Sequence, residues 1–261
     1  MAADWGSIRA HPGECVAGIL PPPQLRGTVT MPFASNSRVV PLTRYQDANA
    51  SAAEVAIKLV FAVDASDSIE DWEWRLELSG IAAALRSRPV QEAIAVLPGH
   101  RLGLAMLVWA DATQRHDTTG WRLIDGPETA AAFAAEIETW PRRVTGGTGM
   151  GEGVASAISL LKIAPWTSRR QIIDVSGDGV EPLPLLTSNV VMMREARAMA
   201  AVAGVIINGL CIVKDMPDVY DWYVYSVMTG PGAFVMQVKE MRDFPRAFQA
   251  KLLKELQVDV A

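Results

Sequence analysis

The chain has 261 residues, 50% of them hydrophobic and 20% charged, with a formal net charge of −5. This length accommodates one large domain with an extension, or two small domains. A mildly acidic chain without a basic run carries no electrostatic footprint for nucleic acid, and no apolar run approaches the ~20 residues that span a bilayer.

Residues 1–52 show no helical or strand period and are interrupted by Pro21-Pro22-Pro23, so they are expected to form a poorly structured extension ahead of a domain over 53–261. Ala50-Ser51-Ala52 has the small-residue character of an export cleavage site, but residues 31–49 lack the apolar core such a signal needs. From Val55 onward strand-like and helix-like runs alternate. Val55–Val63 reads as a strand and Glu70–Arg86 as a helix, with Trp74, Leu76, Leu78, Ile81 and Leu85 as packing residues. Leu102–Trp109 is a second strand and Trp121–Ile124 a short third. Helices are expected at Glu128–Trp140 and Gly149–Ile163, then a strand at Gln171–Ser176. A helix over Asn189–Ala203, a strand over Val205–Val213 and a helix over Asp218–Met228 follow. A sixth strand, Ala233–Val238, and a closing helix, Met241–Leu256, complete the pattern. Near-continuous apolar strands separated by helices predict a doubly wound, mostly parallel sheet covered on both faces. The short link before the third strand predicts one antiparallel edge.

The chemistry concentrates at three places. Asp64-Ala65-Ser66-Asp67-Ser68 follows the first strand, Gly146-Gly147-Thr148-Gly149 opens a helix, and Asp178-Gly179 follows the fourth strand. In an open parallel sheet, ligands bind beyond the carboxyl ends of the strands, where the strand order reverses. Asp64, Ser66, Ser68, Thr148 and Asp178 would converge there with oxygen donors alone, a set that suits a hard cation: Mg²⁺, Mn²⁺ or Ca²⁺. Asp67, Asp111 and Asp174 are further carboxylates that could support this set. Cys15 and Cys211 have no Cys-x-x-Cys spacing, and His11, His100 and His116 are scattered. A thiolate or imidazole metal site is therefore unsupported.

The trio resembles the metal-ion-dependent adhesion site of von Willebrand factor type A domains, written D-x-S-x-S, then Thr, then Asp before Gly. Within that superfamily the chain is similar to an uncharacterised bacterial branch, a domain of unknown function. The shared wording includes Phe61-Ala62-Val63-Asp64, Ile173 to Gly179, Ile207 to Leu210 and Gly230 to Val235. The resemblance implies a six-stranded sheet of order 3-2-1-4-5-6. It implies that Ser66, Ser68 and Thr148 touch the cation directly, and that Asp64 and Asp178 act directly or through water. It further implies a partner protein whose Asp or Glu completes the coordination, and a periplasmic or secreted setting. Two positions depart from the pattern: Asp67 stands where Gly is common, and Gly177 where many relatives have Thr.

Other readings of these residues remain open. Ser66, Ser68 and Thr148 would also suit helix caps, and Asp178-Gly179 an ordinary turn. Asp174, inside a strand, would need a partner if buried, and Asp67 would more simply be a solvated loop carboxylate. Trp72, Trp74, Trp109 and Trp121 are read as core and rim packing, and Met192, Met193 and Met199 as core filler. Dinucleotide, P-loop and nucleophile-elbow motifs are missing. The least strained enzyme reading is a Mg²⁺-dependent phosphoryl-transfer hydrolase with Asp64 as nucleophile. A structural domain with a decayed site is the third possibility.

Overall fold

The computed structural model describes residues 53–182, 190–214 and 216–257. The expected extension over residues 1–52 lies outside the described residues, as does Asn189, the expected start of a helix. The strands are β1 Ile57–Asp64, β2 Leu102–Trp109, β3 Asp117–Thr118, β4 Arg122–Ile124, β5 Arg170–Gly177, β6 Ile206–Ile212 and β7 Val235–Val238. The helices are α1 Asp71–Arg86, α2 Arg88–Ala95, α3 Pro127–Glu138, α4 Met150–Lys162, α5 Met193–Ala203, α6 Val219–Trp222 and α7 Phe244–Leu256. The run expected as one helix over Asp218–Met228 is α6 continued by a π-helical turn, Tyr223–Val227.

The sheet order is β3-β2-β1-β5-β6-β7, with β4 also paired to β2. All pairings are parallel except those of β3 and β4 with β2. The doubly wound order is the expected one. The antiparallel edge, expected as a single strand, consists of two short pieces, so the sheet has seven strands. Gly120, with a positive φ of 67°, separates them; a residue without Cβ turns there at no steric cost.

The strand period of two divides the core. Ile57, Leu59, Phe61 and Val63 of β1 join Leu102, Leu104, Met106 and Val108 of β2 on the face covered by α1, α2, α3 and α7. Val60 and Ala62 join Ala105, Leu107 and Trp109 on the face covered by α4, α5 and Tyr223. Phe61 meets Phe248 of α7 edge to face at 5.1 Å. Each such fully buried side chain contributes roughly 1.5–3 kcal/mol. Because both faces are covered, β1 and β2 are buried along their whole length.

A charged cluster sits inside the first face. Lys251 of α7 is fully buried, donates to Glu255 Oε1 at 2.6 Å and pairs with Asp174 of β5. Asn208 Nδ2 donates to the same Glu255 oxygen at 2.9 Å. Burial, and then the Glu255 charge, push the Asp174 carboxyl up to about 8, against the pull of Lys251. Asp174 is thus paired with α7 within the core.

Candidate metal centre

The strand order reverses between β1 and β5, the point at which an open α/β sheet leaves a crevice beyond its carboxyl ends. Asp64 is the last residue of β1, and Asp178 follows the last residue of β5. The loop after β1 is drawn back on itself: the Ser66 N–H donates to Asp64 Oδ1 at 2.7 Å. The Ser66 and Ser68 hydroxyls lie 3.1 Å apart. Ser68 Oγ donates to Asp178 Oδ1 at 2.6 Å, across 110 residues of sequence. The Thr148 hydroxyl lies 3.6 Å from the point where a Cβ on Gly179, the residue after Asp178, would stand.

These hydroxyls do not cap helices. The N-cap of α1 is Glu70, whose N–H is taken by Glu73 Oε2 at 2.9 Å. The N-cap of α4 is Gly149, with no side-chain hydrogen bond. The capping alternative therefore leaves Ser66, Ser68 and Thr148 unaccounted for.

Asp67 points along the rim. Its Oδ1 accepts the Gly146 N–H at 2.8 Å, and its own N–H donates to the Gly146 carbonyl at 2.8 Å. This reciprocal pair ties the loop after β1 to the loop that carries Thr148. Asp111 forms a local turn in which its Oδ1 accepts the Thr113 N–H at 2.8 Å and hydroxyl at 2.6 Å. Those bonds hold its carboxyl below the usual carboxylate range. Asp174 belongs to the Lys251 cluster. Among the tryptophans, Trp74 and Trp109 are buried in the core, and Trp72 is 54% exposed beside Glu70, its Nε1 donating to the Glu70 carboxylate. Of the methionines, Met193 is buried and Met199 exposed.

Several residues of the site escaped the sequence reading. Arg142 holds the loop from outside, its Nη2 donating to the carbonyls of Ser66 at 2.7 Å and Ala65 at 3.1 Å. Lys214, in the turn after β6, donates to Asp178 Oδ2 at 2.7 Å, Glu73 Oε2 at 2.7 Å and the Ser68 carbonyl at 3.1 Å. Burial works against its charge, but Asp178 and Glu73 outweigh it and hold the pKa above the ordinary lysine value. Below the site, Glu77 of α1 is fully buried and accepts the Ser176 hydroxyl at 2.5 Å. Tyr223 places its buried hydroxyl beside Gly177. A Cβ at position 177 would stand 2.7 Å from Asp64 Oδ2 and 2.9 Å from the Tyr223 hydroxyl. Gly177 is therefore set by Tyr223, which fills the space a larger residue would take.

Burial pushes the Asp64 carboxyl up to about 7, against hydrogen bonds from Ser66 that favour the anion, and the neighbouring Asp178 charge adds to the rise. Asp64 Oδ2 is buried without a hydrogen-bond partner. A buried carboxylate oxygen left this way is costly unless a cation or proton meets it. The spacing of the hydroxyls also fits a small cation: neighbouring ligands of octahedral Mg²⁺ lie about 3.0 Å apart. Among the described residues no group of three or more His, Cys, Asp or Glu side chains is placed to hold a metal. The donors gathered here are two carboxylates and three hydroxyls, a set suited to a hard ion.

The doubly wound sheet has the von Willebrand factor type A-like fold. It matches a pilus adhesin, SpaC, from Lactobacillus rhamnosus GG with a TM-score of 0.56 at 12% identity, covering 77% of this chain and 30% of the adhesin. It matches proximal thread matrix protein 1 of the mussel byssus with a TM-score of 0.54 at 12% identity, covering 78% of this chain and 46% of that protein. The same mussel protein has been solved with a zinc-occupied MIDAS motif, with a TM-score of 0.48, 13% identity and coverage of 78% and 48%. The chain thus spans less than half the length of these proteins, and at such identities the likeness establishes the fold. The chain belongs to the DUF1194 family, described as proteins of unknown function, whose model matches residues 54–260. No curated protein matches the chain in sequence.

Proposed function

We propose that the chain is a divalent-cation-dependent protein-binding module whose partner presents an acidic side chain to the metal. The observation that carries this reading is the gathering of Asp64, Ser66, Ser68, Thr148 and Asp178 from three separate segments at the switch point, with Asp64 Oδ2 left without a protein partner. In this reading Ser66, Ser68 and Thr148 hold Mg²⁺ or a similar ion, and Asp64 and Asp178 orient its shell. The bound ion supplies a Lewis-acidic position for an incoming carboxylate. The hydroxyls suit this because they are neutral. With few carboxylates in direct contact, the ion keeps net positive charge for a ligand.

The hydrolase alternative asks Asp64 to attack phosphorus. Asp64 is fully buried, with one carboxylate oxygen engaged by the Ser66 N–H. A nucleophile must reach its substrate, so the burial favours the binding role. Peptides carrying a single Asp or Glu, compared with Asn or Gln counterparts, test the reading directly. Binding of the acidic peptides is expected in Mg²⁺ and is lost in EDTA and in Thr148→Ala. Equal binding with and without the cation would refute it.

A further inference from the structure

Among the described residues, Lys214 is the cation that ion-pairs with a carboxylate of the proposed ligand set, Asp178. It adopts a positive φ of 39°, a conformation that non-glycine residues take rarely and keep where surrounding contacts hold it. Its ammonium has three donors, and all three are directed: to Asp178, to Glu73 and to the Ser68 carbonyl. Glu73 is fixed in turn by the Glu70 N–H and is almost fully buried. The ammonium is therefore pinned beside Asp178 by an acid outside the ligand set.

We infer that Lys214 is a resident cation that sets the charge of the metal centre. It lowers the affinity for a divalent ion and leaves the bound ion more attractive to a partner's carboxylate. The inference rests on the cation-site reading above. Its physical basis is that Asp64 and Asp178 present two negative charges, and an ammonium on Asp178 offsets one of them before any metal arrives. Like charges a few ångströms apart repel even through a water-like dielectric, so the incoming ion meets a less negative site. Once bound, that ion is less neutralised by protein carboxylates. An acidic ligand then meets both the ion and the ammonium.

The competing explanation is a structural tie, in which Lys214 merely fastens the turn after β6 to α1. The two are separated by charge. Lys214→Met keeps most of the apolar stem and removes the charge, whereas Lys214→Arg keeps the charge. Calorimetric titration with Mg²⁺ and Mn²⁺ is expected to give about tenfold or tighter cation binding in Lys214→Met than in wild type. Lys214→Arg should stay within about threefold of wild type. A cation site detectable only in Lys214→Met has the same meaning. The metal-loaded Lys214→Met protein should also hold an acidic peptide more weakly than loaded wild type.

Unfolding in EDTA reports any loss of fold separately, and Lys214→Gln repeats the test if the Met variant does not fold. Equal cation affinity in wild type and in either uncharged variant overturns the inference while leaving the cation site intact. No cation binding in wild type and in the uncharged variants alike overturns both.

Discussion

Glu77→Gln probes the buried floor of the site. Glu77 is fully buried on α1, with Oε1 on the Ser176 hydroxyl and Oε2 without a partner. Burial raises its pKa from 4.5 to about 8, against the Ser176 hydrogen bond, and Asp64, Asp178 and Asp174 add to the rise. A carboxyl whose folded pKa exceeds its unfolded one binds a proton in the native state that the unfolded chain has already lost. Stability therefore falls as pH rises through that window, from about 4.5 to about 8. At about 1.4 kcal/mol per unit, the loss accumulated by pH 7 is about 3 kcal/mol. Gln keeps an acceptor for Ser176 and cannot ionise. In urea unfolding with EDTA, the variant should lie within about 1 kcal/mol of wild type at pH 5 and exceed it by about 2–3 kcal/mol at pH 7. A difference that stays constant from pH 5 to pH 8 would refute the assignment of a neutral Glu77 beneath the site.

Gly177→Ala should cost about 1–3 kcal/mol by overpacking and weaken cation binding, because the new methyl would press on Asp64 and Tyr223. Gly103→Ala is its control. There a Cβ would meet Trp166 Cε3 at 3.0 Å, at the start of β2 and so at the strand end opposite the proposed ligands, so stability should fall while cation affinity holds. Thermal unfolding and cation titration of both variants check this pair; equal losses of affinity would contradict it. Asp67→Ala removes the acceptor of the Gly146 N–H. It should cost about 1 kcal/mol and loosen Thr148, weakening cation binding several-fold; tighter binding would instead place Asp67 as a repelling or misplaced charge.

Much of this fold was legible because its strands are buried on both faces. β1 and β2 read as unbroken apolar runs, and the helices that alternate with them give a mostly parallel sheet covered on both faces; the order of its strands is what the resemblance to von Willebrand factor type A domains implies. The edge was less readable: β3 is two residues long and polar, and its pairing with Leu107 and Val108 leaves no period in the sequence. α2 went unread because it follows α1 with only Ser87 between them. The ligand candidates were visible as short motifs, since each sits on a contiguous loop. Their supports were not, because they arrive from distant elements. Lys214 comes from the turn after β6, Arg142 from the loop after α3 and Tyr223 from the helical turn after α6. One signal was present and unused: Glu77 stands on the apolar stripe of α1 with Trp74, Leu78 and Ile81, where a charge demands a partner. Lys251 and Glu255 stand likewise on the stripe of α7 with Phe244, Phe248 and Leu252.

The most direct test of the central claim is calorimetric titration of wild type, Lys214→Met and Asp64→Ala with Mg²⁺ and Mn²⁺ at pH 8, where Asp64, with its carboxyl raised to about 7, is ionised. One saturable site, tighter in Lys214→Met and absent in Asp64→Ala, is the predicted result. Cation binding that survives intact in Asp64→Ala, or no binding in wild type and Lys214→Met alike, would contradict a metal centre at the end of β1.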